Sequence, residues 1–91
     1  MLTVIAYDIT DDDRREDVAN ELENYGMRVQ KSVFECWLDN EEFAKLTGTL
    51  DTMIDLSSDH IRFYRLCEKD ARKIKIIGIK IVSKDEDYFM I

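Results

Sequence analysis

The spacing of apolar residues predicts four strands along the chain. Residues 2–7 are rich in β-forming residues and predict a buried strand. Residues 28–38 predict a second strand, long enough to bend or bulge, and residues 60–66 alternate between polar and apolar and predict a third. Residues 74–82 predict a fourth strand that breaks near Gly78.

Two amphipathic helices are predicted between these strands. Thr10 and Asp13 resemble a capping box with Asp in place of Glu or Gln, and Gly26 is expected to stop the helix that they begin. Apolar residues inside this first helix recur at helical spacing, at Val18, Leu22 and Tyr25. The second helix is marked by apolar residues at offsets of 0, 3, 7, 10 and 11, namely Phe43, Leu46, Leu50, Met53 and Ile54.

The resulting order, β-α-β-α-β-β, fits an α+β fold of the split βαβ or ferredoxin-like kind, with both helices on one face of the sheet. In the first strand Leu2, Val4 and Ala6 point one way, whereas Ile5 and Tyr7 point the other. Both faces of the sheet are therefore apolar. Because a monomer would expose one of them, we expect a homodimer that packs sheet to sheet.

Composition places the chain among soluble globular domains. Apolar residues make up 45% and charged residues 36% of the 91 residues, enough for one domain at most. No apolar run is long enough for a transmembrane helix, so no membrane is expected, and the N-terminus does not resemble a signal peptide. Cys36 and Cys67 lie 31 residues apart with no CxxC pattern, which favours reduced thiols in a cytoplasmic protein over a zinc site.

The net charge of −7 argues against nucleic-acid binding until its distribution is considered. Residues 8–23 hold eight acidic and two basic residues, whereas the rest of the chain has a net charge of −1. Local basic patches therefore remain possible elsewhere. The simplest interpretation of the acidic segment is a solvated helix start, where carboxylates suit the helix dipole.

The last eight residues differ in character from the domain before them. Residues 84–87 are charged, and residues 88–91 are apolar. We therefore divide the chain into a domain at 1–83 and a C-terminal tail at 84–91. Two interpretations of the tail stay open: it adds a strand to a sheet, either its own or that of a partner subunit, or it folds back on its own core.

Asp8 is the strongest candidate for a metal-binding or catalytic residue. It ends the first strand and shares the face of Leu2, Val4 and Ala6 by strict alternation. A carboxylate is a suitable ligand for Mg²⁺ or Mn²⁺, and two of them brought together across a dimer axis would make a better site than one. A bound ion could then activate water against a phosphodiester. The alternative is a strand-end Asp whose side chain caps the following turn.

Several other residues are candidates for phosphate or base contacts. Arg14 and Arg15 oppose the helix dipole in the first helical turn, so they bind either phosphate or neighbouring acidic side chains. In a regular second strand Arg28, Ser32 and Phe34 share one face and Lys31 points the opposite way, although Phe34 also fits a core position. His60 has no second histidine with which to form a proton relay, so a solvated side chain is expected.

The sequence resembles the CRISPR-associated protein 2 family, the short subunit of prokaryotic CRISPR adaptation. The resemblance begins in Val-Ile-Ala-Tyr-Asp-Ile and the arginine pair, and its most specific part is the stretch YGMRVQKSVFE. It covers about 80 residues in the right order and spacing, carried by residues 4–9, 14–15, 25–35, 62–67 and 75–78.

The resemblance implies a ferredoxin-like βαββαβ fold with an extra C-terminal strand, which packs against the partner subunit of a homodimer. Some members are described as metal-dependent endonucleases that act on single-stranded RNA or duplex DNA. It implies that Asp8 binds the metal and faces its dimer mate. Positions linked to activity or to nucleic-acid contact match Tyr7, Arg14, Arg15, Arg28, Ser32 and Phe34.

Three hypotheses follow for the function. The first is a Mg²⁺-dependent endonuclease of the CRISPR adaptation machinery that takes part in acquiring spacers. The second is a structural adaptor whose dimer bridges integrase subunits and holds protospacer DNA, because the family's nuclease activity is dispensable for that role in some systems. The third is a toxin-like RNase outside adaptation. The net acidity of the chain argues against strong unaided binding of nucleic acid.

Overall fold

A computed structural model describes residues 1–71, in which a four-stranded sheet carries its two longer helices on one face. The elements in chain order are β1 Leu2–Asp8, α1 Asp12–Glu23, β2 Gly26–Gln30, β3 Val33–Trp37, α2 Asn40–Met53, β4 His60–Leu66 and the short α3 Glu68–Ala71. The bounds of β1, α2 and β4 agree closely with the sequence predictions.

The sheet has the strand order β2-β3-β1-β4, and every neighbouring pair is antiparallel. Strand β1 lies in the middle, hydrogen-bonded to β3 on one side and to β4 on the other. Helix α1 carries the chain from β1 past β3 to the edge strand β2, which is the split βαβ arrangement. The predicted ferredoxin-like α+β fold is therefore confirmed.

The prediction of one strand over 28–38 is wrong, because this stretch takes part in a hairpin. Strands β2 and β3 pair antiparallel around a two-residue turn at Lys31 and Ser32, with an irregularity in register between Arg28 and Gln30. The turn contains no Gly, Pro, Asn or Asp, and Ser32 is only a weak turn former, so the sequence carries no strong local signal of reversal. Arg28 and Phe34 are cross-strand partners and share one face, as predicted, whereas strand alternation does not extend to the two turn residues.

Two predicted helix signals also differ in the structure. The N-cap of α1 is Asp11 rather than Thr10, and its carboxylate accepts a hydrogen bond from the backbone N–H of Arg14 at 2.9 Å. Gly26 does not end α1, which stops at Glu23; it begins β2 instead. A Cβ at Gly26 would overlap the backbone of the neighbouring strand β3, so the close pairing of these strands requires glycine.

The main core lies between the sheet and helices α1 and α2. Leu46 and Leu50 of α2 are buried there, as the helical spacing predicted. The core also contains side chains from the helix-facing side of the strands and from α1, namely Ile5, Tyr7, Phe34, Cys36, Val18, Ala19 and Leu22. Burial raises the pKa of the Cys36 thiol to about 12, so this cysteine is an apolar core residue.

The opposite face of the sheet also carries apolar residues, as predicted. The register places Leu2 between Trp37 of β3 and Leu66 of β4, and Val4 beside Tyr64. Trp37 and Tyr64 are 42% and 50% exposed. This surface, which we call the open face, is where a sheet-to-sheet homodimer is predicted.

Three further predictions concern the chain after residue 71. The fourth strand at 74–82, the domain boundary at 83 and the tail at 84–91 all lie outside the described residues. Within residues 1–71, none of the helices has the length and apolar character needed to cross a membrane.

Candidate functional site

Asp8 lies at the carboxyl end of β1 with its side chain largely in solvent. The register with β3 and β4 places it on the open face together with Ala6 and Val4, as the alternation predicted. Its side chain is 75% exposed. A strand-end carboxylate in this position is accessible to an ion, to a nucleic-acid strand and to a second subunit.

His60 lies directly opposite Asp8, in the first position of β4. The imidazole Nε2 lies 3.9 Å from Oδ2 of Asp8, and the His60 side chain is 57% exposed. The sequence predicted the exposure but not the neighbour. Residues 8 and 60 are far apart in sequence, and only the antiparallel pairing of β1 with β4 brings them together.

The donor atoms at this site fit a divalent cation but do not complete its coordination. Oxygen ligands from carboxylates are the ones that Mg²⁺ and Mn²⁺ take, and both ions readily keep several waters. Within residues 1–71 of one subunit, no group of three or more His, Cys, Asp or Glu side chains is arranged around a common point. A site centred on Asp8 therefore needs waters or a second subunit to supply the remaining ligands.

Arg14 binds a buried carboxylate 45 residues away. Its guanidinium donates from Nε to Oδ2 of Asp59 at 2.9 Å and from a terminal nitrogen to Oδ1 at 3.3 Å. The Asp59 side chain is fully buried. The sequence allowed either phosphate or nearby acidic residues as partners of Arg14, and in this structure the partner is an acidic residue that no local pattern indicated.

The Asp59 carboxylate also accepts hydrogen bonds from residues of two loops. The backbone N–H and hydroxyl of Thr10 donate to Oδ1 at 3.2 and 3.4 Å, and the backbone N–H of Asp55 donates to Oδ2 at 3.0 Å. The hydrogen bond from Arg14, helped by these amides, holds the pKa of Asp59 well below its usual range. This cluster joins the start of α1 to the residue that precedes His60.

Arg15 takes a different direction from Arg14. It donates to the backbone carbonyl of Ile9 at 2.9 Å and pairs with the exposed Asp12. Together with Arg28 and Lys31 it lines an open groove between α1 and the β2–β3 hairpin. Three predicted basic residues thus come together, although their positions in the sequence are well separated.

The same groove is also lined by acidic side chains and by a buried tyrosine. Asp12 and Glu16 line it beside the basic residues, so its charge is mixed. Tyr7 forms part of its wall and is buried, with its hydroxyl donating to the backbone carbonyl of Lys31 at 3.3 Å. Its charge pattern therefore offers only limited attraction to a phosphate chain.

Phe34 and Ser32 complete the set of predicted site residues. Phe34 is fully buried beneath Arg28, whose guanidinium lies 5.3 Å from the ring centroid. This is the core position that the sequence offered as the alternative for Phe34. Ser32 lies in the hairpin turn, and its backbone carbonyl accepts a hydrogen bond from the N–H of Tyr7 at 3.0 Å.

These contacts place the candidate residues at one end of the sheet, on two sides of it. Tyr7 faces the helices, whereas Asp8, the next residue, faces the open side. The hairpin turn reaches the end of β1 through Ser32, and β4 reaches it through His60. The end of β1 thus separates an exposed carboxylate from a mixed-charge groove.

The fold and the strand-end carboxylate define a ferredoxin-like domain with an accessible acidic site, and comparison with known proteins identifies its family. The family model described as CRISPR associated protein Cas2 matches residues 1–74, and the chain belongs to this family.

Named relatives are similar over nearly the whole chain. A protein of Chloroflexus aurantiacus named CRISPR-associated endoribonuclease Cas2 3 is 46% identical over 91 residues, covering 100% of this chain and 98% of the relative. A protein of Thermus thermophilus named CRISPR-associated endonuclease Cas2 2 is 41% identical, covering 86% of this chain and 82% of the relative.

Solved structures agree with the fold. The crystal structure of Streptococcus pyogenes Cas2 at pH 6.5 superposes with a TM-score of 0.77 at 35% identity, covering 86% of this chain and 100% of that one. A crystal structure of a hypothetical protein from Thermus thermophilus superposes with a TM-score of 0.80 at 38% identity, covering 89% of this chain and 94% of that one. The predicted family is thereby confirmed, and its relatives bear nuclease names.

Proposed function

We propose that the protein is a Mg²⁺-dependent endonuclease of the CRISPR adaptation machinery, which hydrolyses phosphodiester bonds in single-stranded RNA or duplex DNA. The observation that carries this proposal is the exposed carboxylate of Asp8 at the end of β1, in a chain whose relatives are named endoribonucleases and endonucleases. Mn²⁺ is a second ion suited to the same ligand.

The proposed active form is a homodimer that packs through the open face. Exposed Trp37 and Tyr64 on this face supply apolar contact area, and Asp8 lies on the same face at its edge. A symmetric dimer axis near this edge would bring two copies of Asp8 towards one another. The second copy would supply the ligands that one subunit lacks.

Asp8 from each subunit would hold the ion in this dimer. When bound, a divalent ion supplies positive charge for the reacting phosphodiester and lowers the pKa of an attacking water. The protein side chains position the nucleic acid. Arg15, Arg28 and Lys31 lie at the same end of the sheet and are the basic groups proposed to contact phosphates around the site.

Arg14 contributes to the same region by a different route. Because its guanidinium is bound to Asp59, we assign it to positioning the start of α1 and the start of β4, on either side of Asp8. Direct contact of Arg14 with nucleic acid would require it to leave a buried carboxylate without its charge partner, which is costly.

The test is cleavage of labelled single-stranded RNA and duplex DNA by the purified full chain with Mg²⁺, with Mn²⁺ and with EDTA. Asp8→Asn is expected to lower the cleavage rate by at least about 100-fold, because it removes the ligand charge from the ion. Glu41→Gln, which neutralises an exposed carboxylate in the first turn of α2, away from both the open face and the groove, is the control. Equal cleavage by wild type and Asp8→Asn would overturn the proposal.

A second candidate is the structural adaptor that bridges integrase subunits and holds protospacer DNA. The exposed acidic surface of α1, which includes Asp12, Asp13, Glu16 and Asp17, favours it. Such a surface repels phosphate but suits a basic region of a partner protein. This candidate predicts that spacer acquisition survives Asp8→Asn and fails on deletion of residues 84–91. Acquisition that requires the Asp8 carboxylate would count against it.

A further inference from the structure

The pairing of β1 with β4 sets a nitrogen donor beside the candidate metal ligand. Asp8 and His60 are directly opposed in the register, so both side chains project from the open face of the sheet. Their nearest donor atoms, Oδ2 and Nε2, are 3.9 Å apart. This separation is too long for a hydrogen bond between them.

At this separation, a small side-chain rotation is enough for both groups to bind one ion. Bonds from a divalent first-row metal to carboxylate oxygen and imidazole nitrogen are each about 2.1 Å long. Two such bonds meeting at an angle wider than tetrahedral span the observed gap, and a small side-chain rotation closes it to the spacing of adjacent ligands. Both side chains are exposed, so neither the core nor a neighbouring strand restricts that rotation.

The backbone that presents His60 is held in place. Asp59, the preceding residue, is buried and accepts hydrogen bonds from Arg14, Thr10 and Asp55. In addition, β4 is paired with β1 along its whole length, starting from His60. The imidazole therefore extends from a fixed strand start, which lowers the entropic cost of using it as a ligand.

We propose that His60 is a second ligand of the ion held by Asp8 and that it biases this site towards Mn²⁺ over Mg²⁺. The inference rests on the proposed metal site and deepens it by naming a ligand and a metal preference. Carboxylate and water oxygens suit both ions, but Mn²⁺, as a first-row transition metal, also accepts an imidazole nitrogen, whereas Mg²⁺ selects oxygen ligands and dehydrates reluctantly. In a dimer, one Asp8 and one His60 from each subunit would supply four protein ligands.

The first test is binding of Mn²⁺ and of Mg²⁺ by the full chain, measured by calorimetry without nucleic acid. His60→Ala is expected to weaken Mn²⁺ binding by at least about 10-fold and Mg²⁺ binding by less than about 3-fold. Arg62→Ala, which alters an exposed side chain on the same face of β4, is the matched control and should leave the Mn²⁺ to Mg²⁺ affinity ratio unchanged. Unchanged Mn²⁺ affinity in His60→Ala would overturn the inference.

A spectroscopic measurement keeps the proposal testable on the unmodified protein. Pulsed electron paramagnetic resonance of the Mn²⁺-loaded wild type should show coupling to an imidazole ¹⁴N, and this coupling should vanish in His60→Gln. Absence of the coupling in loaded wild type would sink the assignment of His60 as a ligand.

Asp8→Asn separates failure of this inference from failure of the proposed function. If Asp8→Asn loses both metals while His60→Ala binds them as wild type does, the metal site stands and the role of His60 is refuted. If wild type binds neither ion, both proposals fall.

Discussion

Two aspartates lie close to the same strand end and have opposite surroundings. Asp59 is fully buried in its side chain and accepts hydrogen bonds from a guanidinium, a hydroxyl and backbone amides. Asp8 is 75% exposed and lies 3.9 Å from one imidazole. His60, which follows Asp59 in the chain and opposes Asp8 in the sheet, separates them.

Their surroundings distinguish a carboxylate that stabilises the fold from one that is available to bind a ligand. Both carboxylate oxygens of Asp59 already accept hydrogen bonds from the protein, and these bonds join α1 to the start of β4. Few of its lone pairs are therefore available to bind a ligand. Asp8 keeps its oxygens accessible at a position that the β1 register fixes. A carboxylate can be stabilised by the fold or offered to a ligand, and this region of the molecule contains one of each kind.

The largest expected effect on folding is that of Asp59→Ala. Removing the carboxylate leaves the Arg14 guanidinium and two backbone donors without their acceptor, so Tm should fall by on the order of 10 °C. Thermal unfolding followed by circular dichroism measures the change. Asp51→Ala, which alters an exposed residue of α2, is the control and should shift Tm by less than about 2 °C. Equal Tm values for the two variants would contradict a structural role for Asp59.

The second effect is a loss of stability in acid. Because the pKa of Asp59 is lowered in the folded state, its contribution is fully present above the unfolded pKa of about 4 and is lost as the pH falls towards the lowered folded pKa. Urea midpoints of wild type and Asp59→Asn, measured from pH 7 to pH 3, should therefore differ by a constant amount above about pH 4 and draw closer below it. A difference that stays constant over this range would show that ionisation of Asp59 does not contribute.

Arg14→Lys should have an intermediate effect. Lysine keeps the positive charge but cannot donate in the two-pronged geometry that Arg14 uses, so Tm should fall by about 5 °C. Arg15→Lys is the matched variant, because Arg15 pairs with the exposed Asp12, and its Tm should change by less than about 2 °C. A larger loss in Arg15→Lys than in Arg14→Lys would reverse the assignment of the two arginines.

The smallest expected effect on folding is that of Asp8→Asn. The exposed Asp8 contributes little to the fold, so Tm should stay within about 2 °C of wild type while the metal-dependent cleavage is lost. Calorimetry and the cleavage assay are run on the same preparation. A fall in Tm as large as that of Asp59→Ala would favour the alternative interpretation of Asp8, a residue whose side chain caps the following turn.

Much of the fold could be predicted from local patterns. The β-rich run at 2–7, the helical spacing around Leu46 and Leu50 and the alternation at 60–66 each correspond to an element with nearly the predicted bounds. These signals are strong because one face of each element is buried, and burial imposes its period on the sequence. The hairpin at Lys31 and Ser32 was missed because its turn residues have no strong turn preference.

The candidate site was predictable only in part. Asp8 was found because a carboxylate at the end of an apolar strand breaks the pattern, and strict alternation placed it on the correct face. The partners of Arg14 and Asp8 were not found, because Asp59 and His60 are distant in sequence and belong to no motif. Phe34 was assigned both a core and a binding role, and burial settles only where its side chain lies.

Local sequence patterns were sufficient for most helices and strands of residues 1–71, for the two apolar faces of the sheet and for the family, since these depend on periodicity and on short motifs. Three contacts became apparent only in the tertiary structure. Arg14 donates to Asp59, His60 lies beside Asp8, and one groove is lined by Arg15, Arg28 and Lys31. Cross-strand neighbours depend on the register of the sheet. Because many weak contacts along the strands together fix that register, no single position in the sequence indicates which residues will be neighbours.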